Sequence, residues 1–573
     1  MPDASSRAGA AAALLWVLLC LRWFDVAEPW RGAALAAVPP ALLLLALAAA
    51  VLGWLRGRWS VLRGAPLGKS AGALGLVLVL AFFFRLPVVA GGAGAAVTAD
   101  GALSGIVALH LVDGSERLVF VPQVPYSGSL KSHLTAPLAL ALDPARAFAL
   151  VSVLFYLGYV AGLYRLALLV SGPRAGLLAG LYAAFSPAFV TRYSLSNDGN
   201  YVEVLALGTW ALWLGARLTL EPLARRRLAL AAGLLLGLGF WCHILAVIHL
   251  AALALLIVLV ARLSALGPLV ALGAGAAIGY APGWLWNLAN GWQSFHYLLP
   301  GQARAAEAGE AGLAAVTSGL GEKLWLMLTD HAPVLMGYDT GYGPLVDRAL
   351  LAASWLATAA AAVAAVRAAH RALRERSWPL AALLLFGATN LAIAAVALPH
   401  VPGNPRYLLF LMSVLPVLLA DASRGSRLAT PLFGVLVATG ALASFAQVPP
   451  TLAQDARWRG FVAELEREGV RFCYTDFFLA TRINFLSAER VVCSAKLGPF
   501  TTEYFFQYRE AVERAPEAAL IPVNRTAAAR LERRLGDLGV AFERRDLVKP
   551  VLLRLSRKVD PEELFPGREF PMR

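Results

Sequence analysis

Charged residues are scarce in this chain of 573 residues: Asp, Glu, Lys and Arg together make up 15% of it, while 59% is hydrophobic. Soluble proteins carry about 25% charged residues, so an ordinary soluble fold is excluded. Apolar runs of about 20 residues recur instead, which is the length that a bilayer-spanning helix needs. These runs lack alternation of polar and apolar residues, which argues against an outer-membrane β-barrel. The sequence therefore predicts an all-α polytopic membrane protein.

Three other missing features narrow the function. No small-residue cleavage site follows the first apolar run, so we expect this run to stay as a helix rather than be removed as a signal peptide. No basic stripe interleaved with aromatic residues is present, so the net charge of +14 does not indicate nucleic-acid binding. No internal repeat relates the two halves of the chain, which argues against a transporter built from repeats.

Cysteine is rare too, with four residues and neither a CxxC motif nor a Cys/His cluster, so no zinc site is predicted. Cys20 and Cys242 fall in apolar runs and are expected to be packing residues. Cys473 and Cys493 lie on two predicted strands, and neighbouring strands would bring them close enough for a disulfide. A disulfide and two buried thiols are equally compatible with the sequence.

The apolar runs predict thirteen membrane spans, and the loops between them predict their orientation. Four loops are rich in arginine, and the positive-inside rule places such loops in the cytoplasm. Alternation from these loops puts the N-terminus inside and the C-terminus outside, which requires one long apolar run to be split at Trp241–Ile244. The arginine-rich loops are 54–69, 221–229, 366–378 and 421–427. The predicted spans are 8–24, 31–54, 71–91, 146–170, 174–193, 203–220, 227–242, 244–262, 266–288, 347–370, 379–398, 405–420 and 428–448.

Three sizeable segments then face the outside: the loops 92–145 and 289–346, and the more polar tail 450–573. The tail contains "GVRFCYTD", "FFLATRINFLS" and "ERVVCSA" in that order, a strand–helix–strand pattern. The sequence therefore divides into a transmembrane domain, residues 1–449, and a small extracytoplasmic α/β domain, residues 450–573.

Asp100 stands where the third apolar run ends, in "TADGALSGIVALHLVDG" (98–114). The apolar spacing after it predicts an amphipathic helix along the outer membrane surface. At the start of such a helix Asp100 would act as an N-cap, and its position alone favours this role. The alternative is a general base that faces a cavity at the membrane surface.

A second acidic segment is "YSLSNDGNYVEVL" (193–205), which predicts an outward-facing turn followed by a span. Asp198 in this turn fits an ordinary helix cap better than a binding group. Glu203 is different because a carboxylate inside a span normally faces protein or water. Both acids are candidates for the wall of a cavity, Glu203 more than Asp198.

Cationic and titratable residues accompany these acids on the predicted outer face. Arg406, in "HVPGNPRYLLF" (400–410), sits at the outer end of a span against the positive-inside trend. Its guanidinium suits a phosphate, although a side chain that snorkels to the membrane interface is an equal alternative. Lys131, His133 and Arg192 are further candidates, and together these residues indicate a site for an anionic lipid headgroup.

Two more candidates lie where regular structure is interrupted. His243 is at the split of the long apolar run, where a broken helix can line a cavity, although a histidine bonded to a freed carbonyl is slightly favoured. Tyr342 belongs to "YDTGYGP" (338–344), which is either a plain turn or a lid that stacks on a sugar.

These motifs, in their order, resemble the GT-C superfamily of membrane glycosyltransferases, in particular the bacterial protein mannosyltransferase and aminoarabinose transferase relatives of family 39. The resemblance rests on "ADGALSGIVALHLVDG", "PYSGSLKSHLTAPLALAL", "FSPAFVTRYSLSNDGNYVEVLALGTWALWL", "GFWCHILAVIHL", "GYAPGWLWNL" and "NPRYLLFLMSVLPVLLA". It covers residues 71–448, and the tail also resembles the soluble domain of the bacterial members.

The resemblance implies a donor sugar on a polyprenyl phosphate and transfer on the outer face of a bacterial inner membrane. It implies that Asp100 is the essential acid of the first outer loop and that Arg406 lies near the lipid phosphate, with Lys131 a weaker match. Many relatives have a glutamate after this aspartate, where the present chain has Gly101. A lone base is compatible with that difference, whereas a metal bound by an acidic pair is not supported.

The expected function is a hexosyl- or pentosyltransferase with Asp100 as its base. Its partners would be the polyprenyl-phosphate-linked sugar, a lipid, glycan or protein acceptor, and membrane lipids. The competing interpretations are a non-catalytic relative that binds lipid-linked sugar, and a lipid or solute transporter. No cofactor is predicted, and a divalent metal stays an open alternative that no ligand cluster in the sequence supports.

Overall fold

Helices dominate the computed structural model, and a small sheet lies near the C-terminus. This architecture agrees with the predicted all-α membrane protein that carries a C-terminal region with strands. The structure describes residues 4–63, 68, 70–195, 199–298, 319–424, 429–498 and 500–565.

Helices occupy every apolar run of the first half of the chain, and short helices also fill the predicted outer loop after the third run. The α-helices are Ala4–Trp23, Ala33–Ala36, Pro40–Arg63, Ser70–Gly91, Ala93–Ala96, Ala99–Asp113, Leu130–Ala139, Pro144–Ser171, Pro173–Ala184, Ala188–Tyr193, Tyr201–Leu220, Arg225–Cys242, Val247–Ala261, Leu266–Gly279, Ala281–Ala289 and Gln293–His296. Short 3-10 helices are Asp25–Trp30, Pro222–Ala224, Ile244–Ala246 and Arg262–Ser264.

In the second half, long apolar helices give way to shorter helices that pack on the sheet. The α-helices are Leu320–Leu326, Ala332–Leu335, Pro344–Arg374, Trp378–Ala397, Leu415–Ala422, Ala429–Ala446, Val448–Arg467, Phe477–Leu486, Phe506–Arg514, Arg525–Asp537 and Pro561–Leu564. A π-helix, Met327–His331, and a 3-10 helix, Arg406–Ser413, complete the set.

Six helical segments of the described chain are long and apolar enough to cross a membrane, and a pair of helices bent by 67° raises the number to seven. The other predicted spans correspond to helices that are shorter, broken or more polar, so the number thirteen stays a prediction. The six segments are Ser70–Gly91, Pro144–Ser171, Ile244–Ser264, Pro344–Arg374, Trp378–Ala397 and Phe433–Arg467. The bent pair is Leu266–Gly279 with Ala281–Ala289.

The predicted break in the long apolar run is present. The helix Arg225–Cys242 ends there, and His243 follows in an extended conformation with φ of −158°. The 3-10 turn Ile244–Ala246 then leads into the helix Val247–Ala261. The run therefore forms two short helices rather than one long one.

Glycines let the helix Arg225–Cys242 pack closely on Leu266–Gly279. A Cβ atom on Gly233 would lie 2.1 Å from the carbonyl oxygen of Leu272, and one on Gly237 would collide with the same helix. Small residues allow such backbone contact between apolar helices, where dispersion contacts replace the hydrophobic effect as the force of association. Side chains larger than glycine would push these two helices apart.

The described residues form two sheets. A hairpin pairs β1 (Phe120–Val121) with β2 (Val124–Gly128), and a five-stranded sheet in the tail has the order β4–β3–β5–β7–β6. Its strands are β3 (Phe472–Tyr474), β4 (Val492–Ser494), β5 (Ala519–Leu520), β6 (Glu543–Asp546) and β7 (Pro550–Leu553).

The first two strands of the tail sheet form the predicted strand–helix–strand unit. β3 and β4 are parallel, and the helix Phe477–Leu486 connects them. Cys473 and Cys493 stand directly opposite each other in this register, with Cα atoms 4.4 Å apart, and are joined by a disulfide. Of the two alternatives left by the sequence, the structure thus has the bridged pair.

The tail packs directly against the helix Ala99–Asp113 and its neighbours. Arg459 donates two hydrogen bonds of 3.0 Å to the carboxylate of Asp143, the residue that caps a long apolar helix. At Gly105 the approach is closest, because a Cβ atom there would lie 2.4 Å from the ring of Phe485. The sheet region therefore covers the segment that carries Asp100.

A cluster of a histidine and two carboxylates, which we call the His110 latch, joins the same two parts. The ring nitrogens of His110 lie 2.8 Å from Glu116 and 3.0 Å from Glu489, and Tyr508 donates its hydroxyl to Glu489. Burial alone would lower the pKa of His110, but the two carboxylates outweigh burial and raise it to about 9. His110 is therefore an imidazolium at neutral pH.

The predicted domain boundary at residue 449 falls near the start of the helix Val448–Arg467. This helix follows Ala429–Ala446 directly and delivers the chain to β3. The division of the chain into two domains, and the side of the membrane on which the tail lies, stay predictions.

Candidate functional site

Asp100 lies in the first turn of the helix Ala99–Asp113. Thr98 is the N-cap of this helix, and its hydroxyl accepts a hydrogen bond of 3.3 Å from the Gly101 backbone N–H. The prediction that Asp100 caps the helix is therefore wrong, because a cap needs a residue in extended conformation just before the first turn. Asp100 stands two residues after the N-cap Thr98, too far along the chain for that role.

The helix Ala99–Asp113 is also not the amphipathic surface helix that its sequence predicts. Ala102, Val107 and Ala108 are all at most 2% exposed, although they point in different directions around the helix. The sequence predicts a water-facing side for this helix. The prediction fails because Phe485 of the distant tail packs on the helix, and the local sequence does not show that contact. The helix is enclosed, which fixes Asp100 on a rigid element.

Arg406 opens the 3-10 helix Arg406–Ser413 and is half-buried. Its guanidinium carbon lies 5.2 Å above the ring of Tyr407. Asp100, Tyr201 and the neighbouring Tyr407 all lie within electrostatic range of this guanidinium. Tyrosines are neutral at pH 7, so Asp100 supplies the negative charge among these neighbours. The structure thus brings together the two residues that the sequence singled out as base and phosphate ligand.

Asn200 links three separate segments of the chain next to Tyr201, a neighbour of Arg406. It adopts the left-handed conformation, with φ of 60°, which asparagine tolerates better than most residues. Its amide donates hydrogen bonds to Ser127 Oγ at 2.9 Å, to the Gly128 carbonyl at 2.7 Å and to the Cys242 carbonyl at 3.0 Å. Asp198 of the same turn lies outside the described residues.

His243, at the broken helix, contacts two of the same segments. Its backbone forms a β-bridge with Ser127, and its ring centroid lies 5.1 Å from that of Tyr201 and 5.5 Å from that of Tyr126. Its Nδ1 atom accepts a hydrogen bond from the Leu245 backbone N–H. The break therefore places His243 within electrostatic range of Arg406. This position fits the cavity-lining alternative, which the sequence favoured slightly less than a histidine bonded to a freed carbonyl.

Lys131 and Glu203 form an ion pair inside the protein rather than facing a cavity. The Lys131 ammonium lies 3.0 Å from Glu203 Oε1, and neither side chain has any solvent exposure. The ammonium also lies 4.9 Å from the centre of the Phe148 ring. The two residues predicted as separate substrate-binding groups thus neutralise each other.

His133 is placed apart from the other candidates. Its Nδ1 atom lies 2.8 Å from the Ser129 carbonyl, and its ring is surrounded by Trp23, Phe24 and Trp241 at centroid distances of 5.3 to 6.4 Å. His133 is not among the neighbours of Arg406, and it does not line the polar cavity near Thr98. This position suits a packing residue.

A cavity of about 360 Å³ is lined by residues that are close in the sequence to Asp100 and Arg406. Thr98, two residues before Asp100, lines it, and so does Gly403, three residues before Arg406. Arg192 lines it as well, so this predicted residue takes part in the same region. Other polar lining residues are Asp339, Ser444, Gln447, Thr451 and Gln454, and the aromatic ones are Phe84, Phe189, Tyr338 and Phe445.

Tyr342 does not line this cavity but holds a residue that does. Its hydroxyl donates a hydrogen bond of 2.8 Å to Asp339, and Gln447 donates one of 2.7 Å to the same carboxylate oxygen. Asp339 and Gln447 were not predicted from the sequence. The one available signal was that "YDTGYGP" contains an acid in a chain with few acids.

Among the residues that the structure describes, no three His, Cys, Asp or Glu side chains lie close enough together to hold a metal ion. The arrangement around Asp100 instead combines one carboxylate, one guanidinium and a polar cavity. Such a set can accept a proton and bind a phosphate without further groups.

No family model and no curated protein matches the chain. Solved structures do match: ArnT from Cupriavidus metallidurans in the apo state is 12% identical, covers 85% of this chain and 97% of its own, and has a TM-score of 0.57. The same protein bound to undecaprenyl phosphate is 11% identical, with 85% and 98% coverage and a TM-score of 0.55. The oligosaccharyltransferase AglB from Archaeoglobus fulgidus is 15% identical, covers 82% of this chain and 70% of its own, and has a TM-score of 0.44.

Proposed function

Starting from the GT-C fold, which the likeness to ArnT establishes as predicted from the sequence, we propose that this chain is a membrane glycosyltransferase. It moves a sugar from a polyprenyl-phosphate donor to an acceptor hydroxyl or amine, at the membrane face opposite the arginine-rich loops. The observation that carries the proposal is the meeting of Asp100 with Arg406, which come from distant parts of the chain.

Asp100 acts as the general base. Its carboxylate accepts the proton of the acceptor while the acceptor oxygen or nitrogen bonds to the anomeric carbon of the donor sugar. The bond from that carbon to the lipid phosphate oxygen breaks, and its electron pair leaves with the polyprenyl phosphate. A base placed in this way contributes about 10²–10⁴-fold to the rate, and direct displacement inverts the anomeric centre.

Arg406 stabilises the departing phosphate. A guanidinium presents two parallel N–H groups to phosphate oxygens, and it keeps its charge in a half-buried site because it is strongly basic. A hydrogen-bond donor stabilises the charge that develops on the leaving group most when that donor is already in place. The ring of Tyr407 beneath Arg406 restricts the motion of the guanidinium. A lipid phosphate leaves as a stable anion, so no acid catalyst is needed.

The cavity beside Thr98 gives the acceptor a route to Asp100. Its polar lining suits a hydroxyl-bearing acceptor, and Arg192 and Asp339 offer one charge of each sign. Tyr342 and Gln447 position Asp339 through their hydrogen bonds. We assign Tyr342 this positioning role in place of the sugar-stacking surface that its sequence context predicts.

Two separate observations support the proposed donor class and the proposed location of the protein. A protein of the same fold, ArnT from Cupriavidus metallidurans, has been solved bound to undecaprenyl phosphate, which supports a polyprenyl-phosphate donor here. The arginine-rich loops favour a bacterial inner membrane orientation in which the tail is periplasmic. The sugar, hexose or pentose, and the acceptor are left to experiment.

Mass spectrometry of surface glycans and lipids, in cells with and without this protein, tests the proposal. We expect one sugar mass to disappear from a glycan, lipid or protein, and the matching polyprenyl-phosphate sugar to accumulate. Arg406→Gln should reproduce both changes if it reaches the membrane in normal amounts. Unchanged masses in the acceptor and donor pools would contradict the proposed transfer.

A further inference from the structure

An apolar groove of about 670 Å³ lies on the other end of the molecule, between the N-terminal helices and the main bundle. The helices Ala4–Trp23 and Pro40–Arg63 form one wall, and Arg225–Cys242 and Leu266–Gly279 form the other. The lining consists almost entirely of alanine, leucine and other apolar side chains. The function proposed above makes no use of this groove.

The groove has a closed end and a charged end. At the closed end, the Trp16 indole N–H donates a hydrogen bond of 3.0 Å to the Ile278 carbonyl, and Leu238 lies nearby in the lining. At the other end, Arg227 is the lining residue that carries a charge, and its side chain is exposed. Arg227 and Leu238 are about 16 Å apart along their helix, at 1.5 Å per residue.

The surroundings of Arg227 are basic as well. Arg225 and Arg226 precede it in the sequence, and Arg7 and Arg56 are exposed on the two N-terminal helices. The N-terminal helices meet where Gly9 packs on Trp54, and both of these residues line the groove. The described lining contains no acidic side chain. The open end of the groove is therefore complementary to an anion.

The charged end of the groove, at Arg227, lies far from Arg406. The helix Tyr201–Leu220 begins with Tyr201, beside Arg406, and near its other end the Leu218 carbonyl accepts a hydrogen bond from Arg225. Tyr201 and Leu218 are about 25 Å apart along the helix. The charged end of the groove and the proposed transfer site consequently face opposite leaflets of a bilayer.

We propose that this groove binds one anionic phospholipid, with an acyl chain between the four helices and the phosphate on Arg227. An apolar channel that ends in a guanidinium matches the two parts of such a lipid. Basic pockets between membrane helices, on the side with the arginine-rich loops, bind anionic headgroups in this way. The lipid is not the polyprenyl donor, because the donor phosphate belongs with Arg406 at the opposite face.

Native mass spectrometry of the full chain in detergent tests the proposal, with phosphatidylglycerol and phosphatidylcholine titrated in competition. We expect one phosphatidylglycerol to be retained preferentially, and Arg227→Gln to reduce this preference about fivefold. Arg374→Gln removes an exposed arginine at the same end but outside the groove, and it should leave the preference unchanged. Ala13→Trp fills the groove and should weaken binding of both lipids.

Two results would overturn the proposal. One is an Arg227→Gln variant that keeps the full preference for phosphatidylglycerol, which would locate the lipid elsewhere on the surface. The other is retention of undecaprenyl phosphate that is lost in Arg227→Gln but kept in Arg406→Gln, which would make the groove a donor-lipid site. Arg227 is exposed, so its substitution does not endanger folding, and the first result can be obtained whatever happens to Ala13→Trp.

Discussion

Removal of Lys131 should destabilise the protein strongly because it leaves a carboxylate stranded. Lys131 and Glu203 are 3.0 Å apart, and both side chains are wholly buried. Loss of one partner of a buried ion pair costs about 3–5 kcal/mol, since the remaining charge has lost both water and its counterion. We therefore expect Lys131→Met to lower the free energy of unfolding by about that amount.

The double variant separates the ion pair from any other effect of the substitution. Replacement of both charges by apolar residues of similar volume is often neutral, so Lys131→Met combined with Glu203→Leu should recover most of the lost stability. Free energies of unfolding measured for the wild type, both single variants and the double variant give the interaction energy directly. An exposed pair provides the control: Arg514→Met, which removes a contact to Glu510, should cost less than about 1 kcal/mol.

The same four proteins decide what Lys131 does. A structural role predicts that the double variant binds polyprenyl phosphate as well as the wild type does. A direct role in binding the donor predicts weak lipid binding in every variant that lacks Lys131, with little change in stability. If the double variant is as unstable as the sum of its two single variants, the reasoning from the buried ion pair is refuted.

Three further predictions concern the tail and its contact with the helix that carries Asp100. Because the pKa of His110 is raised to about 9, the His110 latch adds roughly 3 kcal/mol to the free energy of unfolding. This contribution is fully present below about pH 6.5 and is lost as the pH rises through about 9. Denaturation between pH 6 and pH 10 should show this loss, and His110→Gln should abolish it; an unchanged pH profile in that variant would contradict the latch. Replacement of Cys473 and Cys493 by serine should lower the stability of the tail by about 3 kcal/mol in chemical denaturation, and equal stability would count against a formed bridge. Gly105→Val would bring a side chain against the ring of Phe485, so limited proteolysis should cut the tail faster, whereas wild-type resistance would show that the contact yields easily.

Features that depend on local sequence were predicted well. The helices follow the apolar runs because a helix in a membrane satisfies its own backbone hydrogen bonds. Such helices can therefore be predicted from the apolar composition of a run alone. The break at His243 was predicted from the length of one run, and the parallel pair β3 and β4 from period switching around a short helix. The bridge between Cys473 and Cys493 was left open because register, which decides the distance, is a tertiary property.

Features that depend on contacts between distant segments were not predictable in the same way. Nothing in the local sequence indicates that Lys131 pairs with Glu203. Asp100 was predicted to cap the helix because the sequence does not distinguish it from Thr98, two residues earlier. Both residue types are common N-caps, and the structure has Thr98 in this role. Asp339 was missed because its place in the cavity depends on a hydrogen bond from Gln447, which lies 108 residues later in the sequence.

The most direct test of the central claim is a single-turnover transfer assay with Asp100→Asn in membranes that contain a pool of lipid-linked sugar. Asp113→Asn is the matched control, since Asp113 ends the same helix and accepts a hydrogen bond only from the nearby Ser115 backbone N–H among the contacts described. We predict that Asp100→Asn lowers the rate of sugar transfer at least about 100-fold, with donor binding retained, while Asp113→Asn transfers at the wild-type rate. Transfer by Asp100→Asn at the wild-type rate would contradict the account.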